Sequence, residues 1–332
     1  MKKYLLKLFP VLHRVIIGTH LDTFAAATGL FRPRIVVHVD GGLASQMMQF
    51  ALGYAVSKET GLPLYLETAF YKNNCKDNAG TRNRFFLLFD TFPEVRKMME
   101  GRLAENNRTL FMRLFRDDIF PARSSTFVPR PEILRGHALY LSDYYPVEYY
   151  IKGYLKELRA IFTFRPELNE EEKMLEARIK QAPASCFIHV RRGDFVNSPL
   201  DVCSPDYFHR AIRKMAELHP EVTFFVFSNQ EQYAREVCES CRTDAPFVYV
   251  SGRNEADPRV DFYLMSICSN GIFSNSGFSL TAGLFGSSAE RVCIYPSYWN
   301  ASSPNKELTE EYFPKHLPSN WLALEPHAPV SE

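Results

Sequence analysis

The sequence predicts an α/β protein built as two doubly wound, Rossmann-like domains facing across a cleft. Three observations lead there. The chain has 332 residues, more than a single core usually organises. Short β-branched runs alternate with helical patterns along most of it, as β-α-β units and parallel sheets require. The apolar runs also end on loops rich in Gly, Ser, Asn and Arg, at the strand ends where such sheets bind ligands.

RIVVHV (34–39) is an apolar strand that stops at Asp40-Gly41-Gly42. Ser45 stands where it can cap the helix that follows, and Met47, Phe50, Ala51, Tyr54 and Ala55 recur on it at helical spacing. Gly61 stops that helix, and Pro63 precedes a second strand, LYLET. Residues 70–150 are less regular, with Pro121, Pro129 and Pro131 among many Asn, Arg and aromatic residues. The charged helix 166–181 leads into Ala182-Pro183-Ala184-Ser185, a candidate domain boundary. Beyond it the strands 186–190, 222–227, 247–250, 271–275 and 291–296 alternate with helices at 205–218, 231–241, 258–270 and 278–285. Ser204 and Pro205 make a cap and first turn for the first of those helices. The chain is therefore divided into segments 1–33, 34–183, 184–300 and 301–332.

A net charge of +1 is too balanced for nucleic acid to be the general partner. The local pair Arg191-Arg192 is then read as a site rather than as part of a charged face. Seven cysteines, an odd number set mostly in apolar runs, fit a reduced cytoplasmic protein better than a disulfide framework. Cys238 and Cys241 have redox or zinc spacing but stand alone, so no metal is expected there. At the N-terminus, Lys7, Pro10, His13 and Arg14 interrupt an apolar run too short for a signal core or a membrane span. Two readings of segment 1–33 stay open: a basic amphipathic stretch on an anionic membrane surface, or a helix packed on its own domain.

Four strand ends carry unusual loops: HVDGGLASQ (38–46), HVRRGDF (189–195), FSNQ (227–230) and FSNSGFS (273–279). Gly41-Gly42 ahead of a helix offers bare backbone N–H groups to an anion. Ser274, Ser276 and Ser279 add hydroxyls at another helix start. Arg191 and Arg192 can give forked hydrogen bonds to phosphate. Together they suggest a nucleotide diphosphate. No P-loop, no dinucleotide fingerprint and no D-x-D occurs in the chain. A diphosphate held by arginine, hydroxyls and helix N-termini suits a metal-independent glycosyltransferase.

The set GGLASQMMQFALGYAVS, FIHVRRGDF, FVFSNQEQ and DFYLMSICSNGIFSNSGFSLTAGLFG resembles the alpha-1,2-fucosyltransferases of glycosyltransferase family 11. That family carries a GGLGNQMFQYA-type start, an H-x-RRGD-[FY] loop, an FSDD-type loop and a D-x-x-LM-x-x-C…SNSTFSWWAAWL-type segment. Order and spacing match from about residue 35 to 300, and CSPDYFHRAI also resembles the family's S-P-x-Y-Y-x-x-A-I. The resemblance implies a GT-B type fold, with segment 34–183 on the acceptor side and 184–300 holding the donor, GDP-fucose. It implies inverting transfer to a hydroxyl of a galactose-type acceptor, with no required metal or other cofactor. By resemblance, Arg191 holds the donor β-phosphate, and Asp194 orients it. His189 lies near the nucleoside, with Arg192 beside it. Ser274, Ser276 and Ser279 surround the diphosphate, and Gly41, Gly42 and Gln46 form the loop facing it. A nucleotide-sugar donor and a glycan or lipid-linked oligosaccharide acceptor are the expected partners. A cytoplasmic place is expected, with peripheral contact at the inner face of the membrane.

Several positions depart from the family's pattern. Its Gly-Asn is Ala44-Ser45 here, and the FSDD-type carboxylate is Asn229. A carboxylate accepts two N–H bonds from guanine, whereas an amide accepts and donates. The tryptophan-rich stretch becomes Leu280-Thr281-Ala282. A transferase for another nucleotide sugar and a non-catalytic nucleotide- or sugar-binding module are therefore carried as alternatives. No motif marks the general base; carboxylates and histidines are spread through 40–150, and the departing phosphate can itself take a proton. Tyr140, Tyr144, Tyr145, Tyr149 and Tyr150 can stack on sugar rings or pack, and Arg82 and Arg84 are candidate acceptor-side residues.

Overall fold

A computed structural model of the chain describes residues 34–73, 84–104, 129, 131–135, 139–142, 145–250, 257–302 and 305–326. The basic segment 1–33, Arg82 and Tyr144 lie outside the described residues. The chain forms two compact units, Met1–Phe89 with Glu94–Tyr154, and Asp90–Pro93 with Leu155–Glu332.

In the first unit, β1 (Ile35–His38), β2 (Leu64–Glu67) and β3 (Leu139–Leu141) form a parallel sheet in the order β2-β1-β3. Ile35 pairs with both Leu64 and Leu139. Helix α1 (Leu43–Thr60) connects β1 to β2 and buries Met47, Phe50, Ala51 and Ala55 completely. Those residues carried its helical spacing in the sequence. Gly61 ends α1 in the left-handed conformation, and its N–H returns to Ser57 O. Ser45 is not the cap. Gly42 takes that position without a side-chain bond, and Ser45 falls inside the first turn. Helix α2 (Val147–Ile151) packs on α1 and buries Tyr150 beside it.

The second unit holds α3 (Leu155–Ile161), α4 (Glu170–Gln181), β4 (Ala184–Val190), α5 (Pro205–Leu218), β5 (Val222–Ser228), α6 (Glu231–Glu239), β6 (Phe247–Val250), α7 (Arg259–Ile267), β7 (Asn270–Ile272), α8 (Gly277–Phe285), β8 (Cys293–Pro296), α9 (Asn305–His316) and β9 (Leu322–Leu324). Its sheet runs β6-β5-β4-β7-β8-β9, parallel throughout. Counted from β4, that is the order 3-2-1-4-5-6 of a doubly wound sheet, which reverses between β4 and β7. Cys186, Phe187 and Ile188 pair with Asn270, Gly271 and Ile272 across this seam.

Two boundaries differ from the sequence expectation. The units divide at Tyr154–Leu155, not at Ala182–Ser185. Helix α4 belongs to the second unit because Glu176 is tied to Tyr263 on α7. Within the expected C-terminal extension, β9 completes the sheet edge by pairing with β8, so that part of it belongs to the second unit's sheet. Nothing in the short run LAL announced a strand; the open edge of β8 supplies its partner.

A buried arginine holds the back of this unit together. Arg291 is 1% exposed and sends Nη1 to Ala282 O and Nη2 to Ser266 O and Cys268 O. These carbonyls lie on α8 and at the end of α7, where helices leave acceptors unpaired. Cationic donors there also suit the helix dipole. Around the guanidinium sit the thiols of Cys186, Cys268 and Cys293, and burial pushes Cys268 and Cys293 up to about 12. Cys238 and Cys241 are likewise buried free thiols. No helix among the described residues is long and apolar enough to cross a membrane.

Arg291→Leu takes a donor from three carbonyls; Ser266 O keeps Ser287 N–H, while Ala282 O and Cys268 O lose the arginine, each a cost of about 1–3 kcal/mol when buried. We expect it to lower the unfolding free energy by more than about 2 kcal/mol, measured as a shifted urea midpoint, with Arg291→Lys falling between it and the parent.

Candidate functional site

The switch point of the second sheet carries the residues singled out in its sequence. Strand β4 ends at Val190, and Arg191-Arg192 follow directly. Their backbone is held from both sides. On the β7 side, Ser274 N–H donates to His189 O at 3.1 Å, and its Oγ accepts Arg191 N–H at 3.3 Å. On the β5 side, Asn229 Oδ1 accepts Arg192 N–H at 3.1 Å, while Ser228 Oγ donates to Val190 O at 2.9 Å. Three adjacent strands thus fix one dipeptide.

Gly193 turns the chain away with φ of 33°, and a Cβ there would sit 2.4 Å from Asn229 Nδ2. Only glycine lets the loop lie so close to the asparagine. The Arg192 guanidinium lies 4.0 Å from the centroid of the Tyr233 ring on α6, a cation–π contact. Its Nε is buried and has no acceptor among the described residues. Arg191 lies 5.8 Å from the Phe195 ring centroid. Asp194 is in the short turn Gly193–Phe195; only its backbone is described.

His189 is a buried, neutral group. Its Nδ1 is 3.4 Å from Ser274 Oγ, and its ring lies 5.6 Å from that of Phe278. Burial, with the nearby positive charge of Arg191, lowers its pKa from 6.5 to about 3.

The three serines divide by accessibility. Ser274 and Ser279 are fully buried, and Ser279 Oγ donates to Ser274 O and Ser276 O. They shape the loop from inside. Ser276 is half-buried, caps α8 by accepting Phe278 N–H, and is the hydroxyl of the three that remains open. Asn275, which the sequence reading passed over, is the loop's anchor: Nδ2 donates to Leu200 O and Trp299 O. Leu280, Thr281 and Ala282, in place of the family's tryptophans, are buried in α8.

The first unit carries the glycine loop. Gly41 has φ of 72°, and its carbonyl accepts from Tyr71 Oη at 3.0 Å. Gly42 leaves the first turn of α1 without a side-chain cap, so its N–H groups suit an anion. The guanidinium of Arg84 stands over it, 3.2 Å from where a Gly42 Cβ would be. Gln46 differs from its expected role. It is fully buried, with Nε2 donating to Gly41 O and Phe85 O and Oε1 accepting from Leu87 N–H and Leu88 N–H. Its hydrogen-bonding capacity is spent, so it braces the loop and cannot meet a ligand. Tyr140, Tyr145 and Tyr150 are buried, as packing requires.

Because folded His189 stays neutral to about pH 3 while the unfolded side chain takes a proton near 6.5, acid favours unfolding across that window. We expect stability to fall by up to about 1.4 kcal/mol per pH unit there. Urea titrations at stepped pH should give a flatter acid limb for His189→Gln.

Comparison with known proteins matches residues 129–322 to Glycosyl transferase family 11. The chain is 23% identical over 296 residues to the O-antigen biosynthesis glycosyltransferase WbnK of Escherichia coli, covering 82% of this chain and 96% of that one. It is 25% identical over 305 residues to an alpha-1,2-colitosyltransferase of Escherichia coli, covering 88% and 99%. It is also 25% identical over 260 residues to galactoside alpha-(1,2)-fucosyltransferase 2 of Oryctolagus cuniculus, covering 75% and 64%. The arginine pair at the switch point, its anchoring loops and the match over more than half of its residues agree: the chain belongs to glycosyl transferase family 11 and is a glycosyltransferase.

Proposed function

We propose that this enzyme transfers L-fucose, with inversion, from GDP-fucose to a hydroxyl of a galactose-type unit in a surface glycan. The observation that carries this is the fixed Arg191-Arg192 backbone at the sheet's switch point, with an orphaned guanidinium nitrogen on Arg192. As the sugar–phosphate bond breaks, negative charge grows on the departing diphosphate. A guanidinium already in place stabilises it without rearranging. Ser276 and the N-terminus of α8 lie in the loop after β7 and can share the same anion. With two arginines supplying positive charge, the reaction is proposed to run without a metal. The acceptor is proposed to be a glycan or lipid-linked oligosaccharide met at the inner face of the membrane.

A second reading concerns the donor. One similar protein is a colitosyltransferase, and the Asn229 oxygen here is engaged by Arg192 N–H. Asn229 therefore holds the arginine loop with the oxygen that would otherwise face a base. Another GDP-linked deoxy sugar is compatible with that arrangement.

The test is mass-spectrometric detection of sugar transfer from GDP-, UDP- and CMP-linked sugars to galactose-terminated acceptors. A product heavier by one fucose, formed equally in EDTA, is the expected result. Turnover from UDP- or CMP-sugars alone would overturn the donor assignment. Arg191→Lys should keep the fold and lose about a hundredfold or more in rate, because a lysine cannot reproduce the fork. Near-parental turnover in that variant would remove Arg191 from the mechanism.

A further inference from the structure

An arginine side chain has many rotamers, and fixing its guanidinium costs entropy. A carboxylate can hold it, but that occupies the N–H edge and offsets the charge. An aromatic ring offers a second way. It binds the guanidinium by its face and leaves the N–H groups in the plane free. Helix α6 takes part in both arrangements.

Arg235 on α6 lies 4.0 Å from the centroid of the Tyr249 ring on β6. Its Nε also donates to Glu231 Oε1 at 2.9 Å, and a second guanidinium nitrogen lies 2.8 Å from the same oxygen. Face and edge are both used. Arg192 meets Tyr233 at the same 4.0 Å. Among the described residues no carboxylate meets its edge, and its Nε is buried without an acceptor. The stacking is alike in the two pairs, and the edge differs.

Tyr233 is brought there by the turn that fixes the arginine backbone. Strand β5 ends at Ser228, whose Oγ donates to Val190 O and accepts Gln230 N–H at 2.9 Å. Asn229 Oδ1 accepts Arg192 N–H, and Gln230 O accepts Ala234 N–H in the first turn of α6. Ala234, Val237 and Cys238 are the buried residues of that helix. Their neighbour Tyr233 is half-buried and packs at the rim of the core they join. Burial raises its hydroxyl above the usual pKa of 10 although the charge of Arg192 pulls the other way, so the ring stays a neutral phenol. All of these residues belong to the second unit.

We propose that Tyr233 is a positioning residue for the donor: its ring holds the Arg192 guanidinium by the face, so that the free N–H edge meets the nucleoside diphosphate. This rests on the glycosyl-transfer reading above and adds the group that keeps its second arginine in place. Tyr233 acts through Arg192, which is then set before the negative charge develops and does not rearrange during transfer.

The test uses the full chain with Tyr233→Phe, Tyr233→Leu and, as a control on the other stacked pair, Tyr249→Leu. GDP affinity is read by calorimetry, transfer by kcat, and the Arg192 Nε–H resonance by nitrogen NMR. Tyr233→Leu should weaken GDP binding about tenfold and lower kcat, while Tyr233→Phe stays within about twofold of the parent because the ring face is kept. Tyr249→Leu should lower the thermal midpoint and leave GDP affinity unchanged. In an Arg192→Ala background Tyr233→Leu should cost no further affinity, since the two residues act as one. Parental GDP affinity in Tyr233→Leu, or losses that add fully in the double variant, would overturn the proposal. If the parent neither binds GDP nor transfers sugar, the glycosyl-transfer reading fails and the NMR of the parent still decides the local claim. An Arg192 Nε–H signal displaced by the ring current supports it; one at the position of a free arginine overturns it.

Discussion

The second unit depends on the seam between β4 and β7. At its lower end Ser185 and Ser269 clamp each other, each N–H donating to the other's Oγ, and Ser269 Oγ also donates to Ser185 O. At its upper end Ser274 binds His189 O and receives Arg191 N–H. Between them only a few residues pair. The polar clamps hold the two strands in register where the sheet reverses, and the crossover connections then leave to opposite sides. The arginine loop takes its place from this seam on one side and from Ser228 and Asn229 on the β5 side. A shift of one residue would point Arg191 and Arg192 to the other face.

Burial at the site is organised to leave few polar groups open. Gln46, Ser274, Ser279 and Asn275 spend their hydrogen bonds on backbone groups of the loops they shape. The exceptions are the buried Nε of Arg192 and the uncapped first turn of α1. An unpaired buried polar group is costly, and the anion proposed to bind there would offset that cost. His189 belongs to the structural side of this division. Kept neutral by burial, it adds no charge beside the arginines and lets Phe278 and its aromatic neighbour Phe262 approach.

Much of the fold was legible because local patterns and tertiary demands agree. The helical face of α1, the Ser204–Pro205 start of α5 and the β-branched run of β5 each read the same in sequence and in structure. The misses have physical causes. β3 and β9 are three-residue strands whose identity lies in an open sheet edge supplied from elsewhere in the chain. The boundary was placed at the Pro-containing stretch before β4, yet helix α4 is bound to α7 by the Glu176–Tyr263 contact. No linker composition can report such a contact.

The sequence by itself determined the alternation of elements, the family and the loops that matter, because period, turn residues and motif order are properties of a one-dimensional string. Only the tertiary structure decided what each polar residue in those loops does. Ser276 and Ser279 are three residues apart and chemically identical, yet one is open and one is sealed inside the loop. Gln46 resembles a ligand contact in sequence and is saturated by four backbone groups in space. Arg192 and Tyr233 lie on separate elements, and parallel pairing of β4 with β5 brings guanidinium and ring together. Exposure and partnership depend on what the rest of the chain packs against a residue, and that is settled in three dimensions.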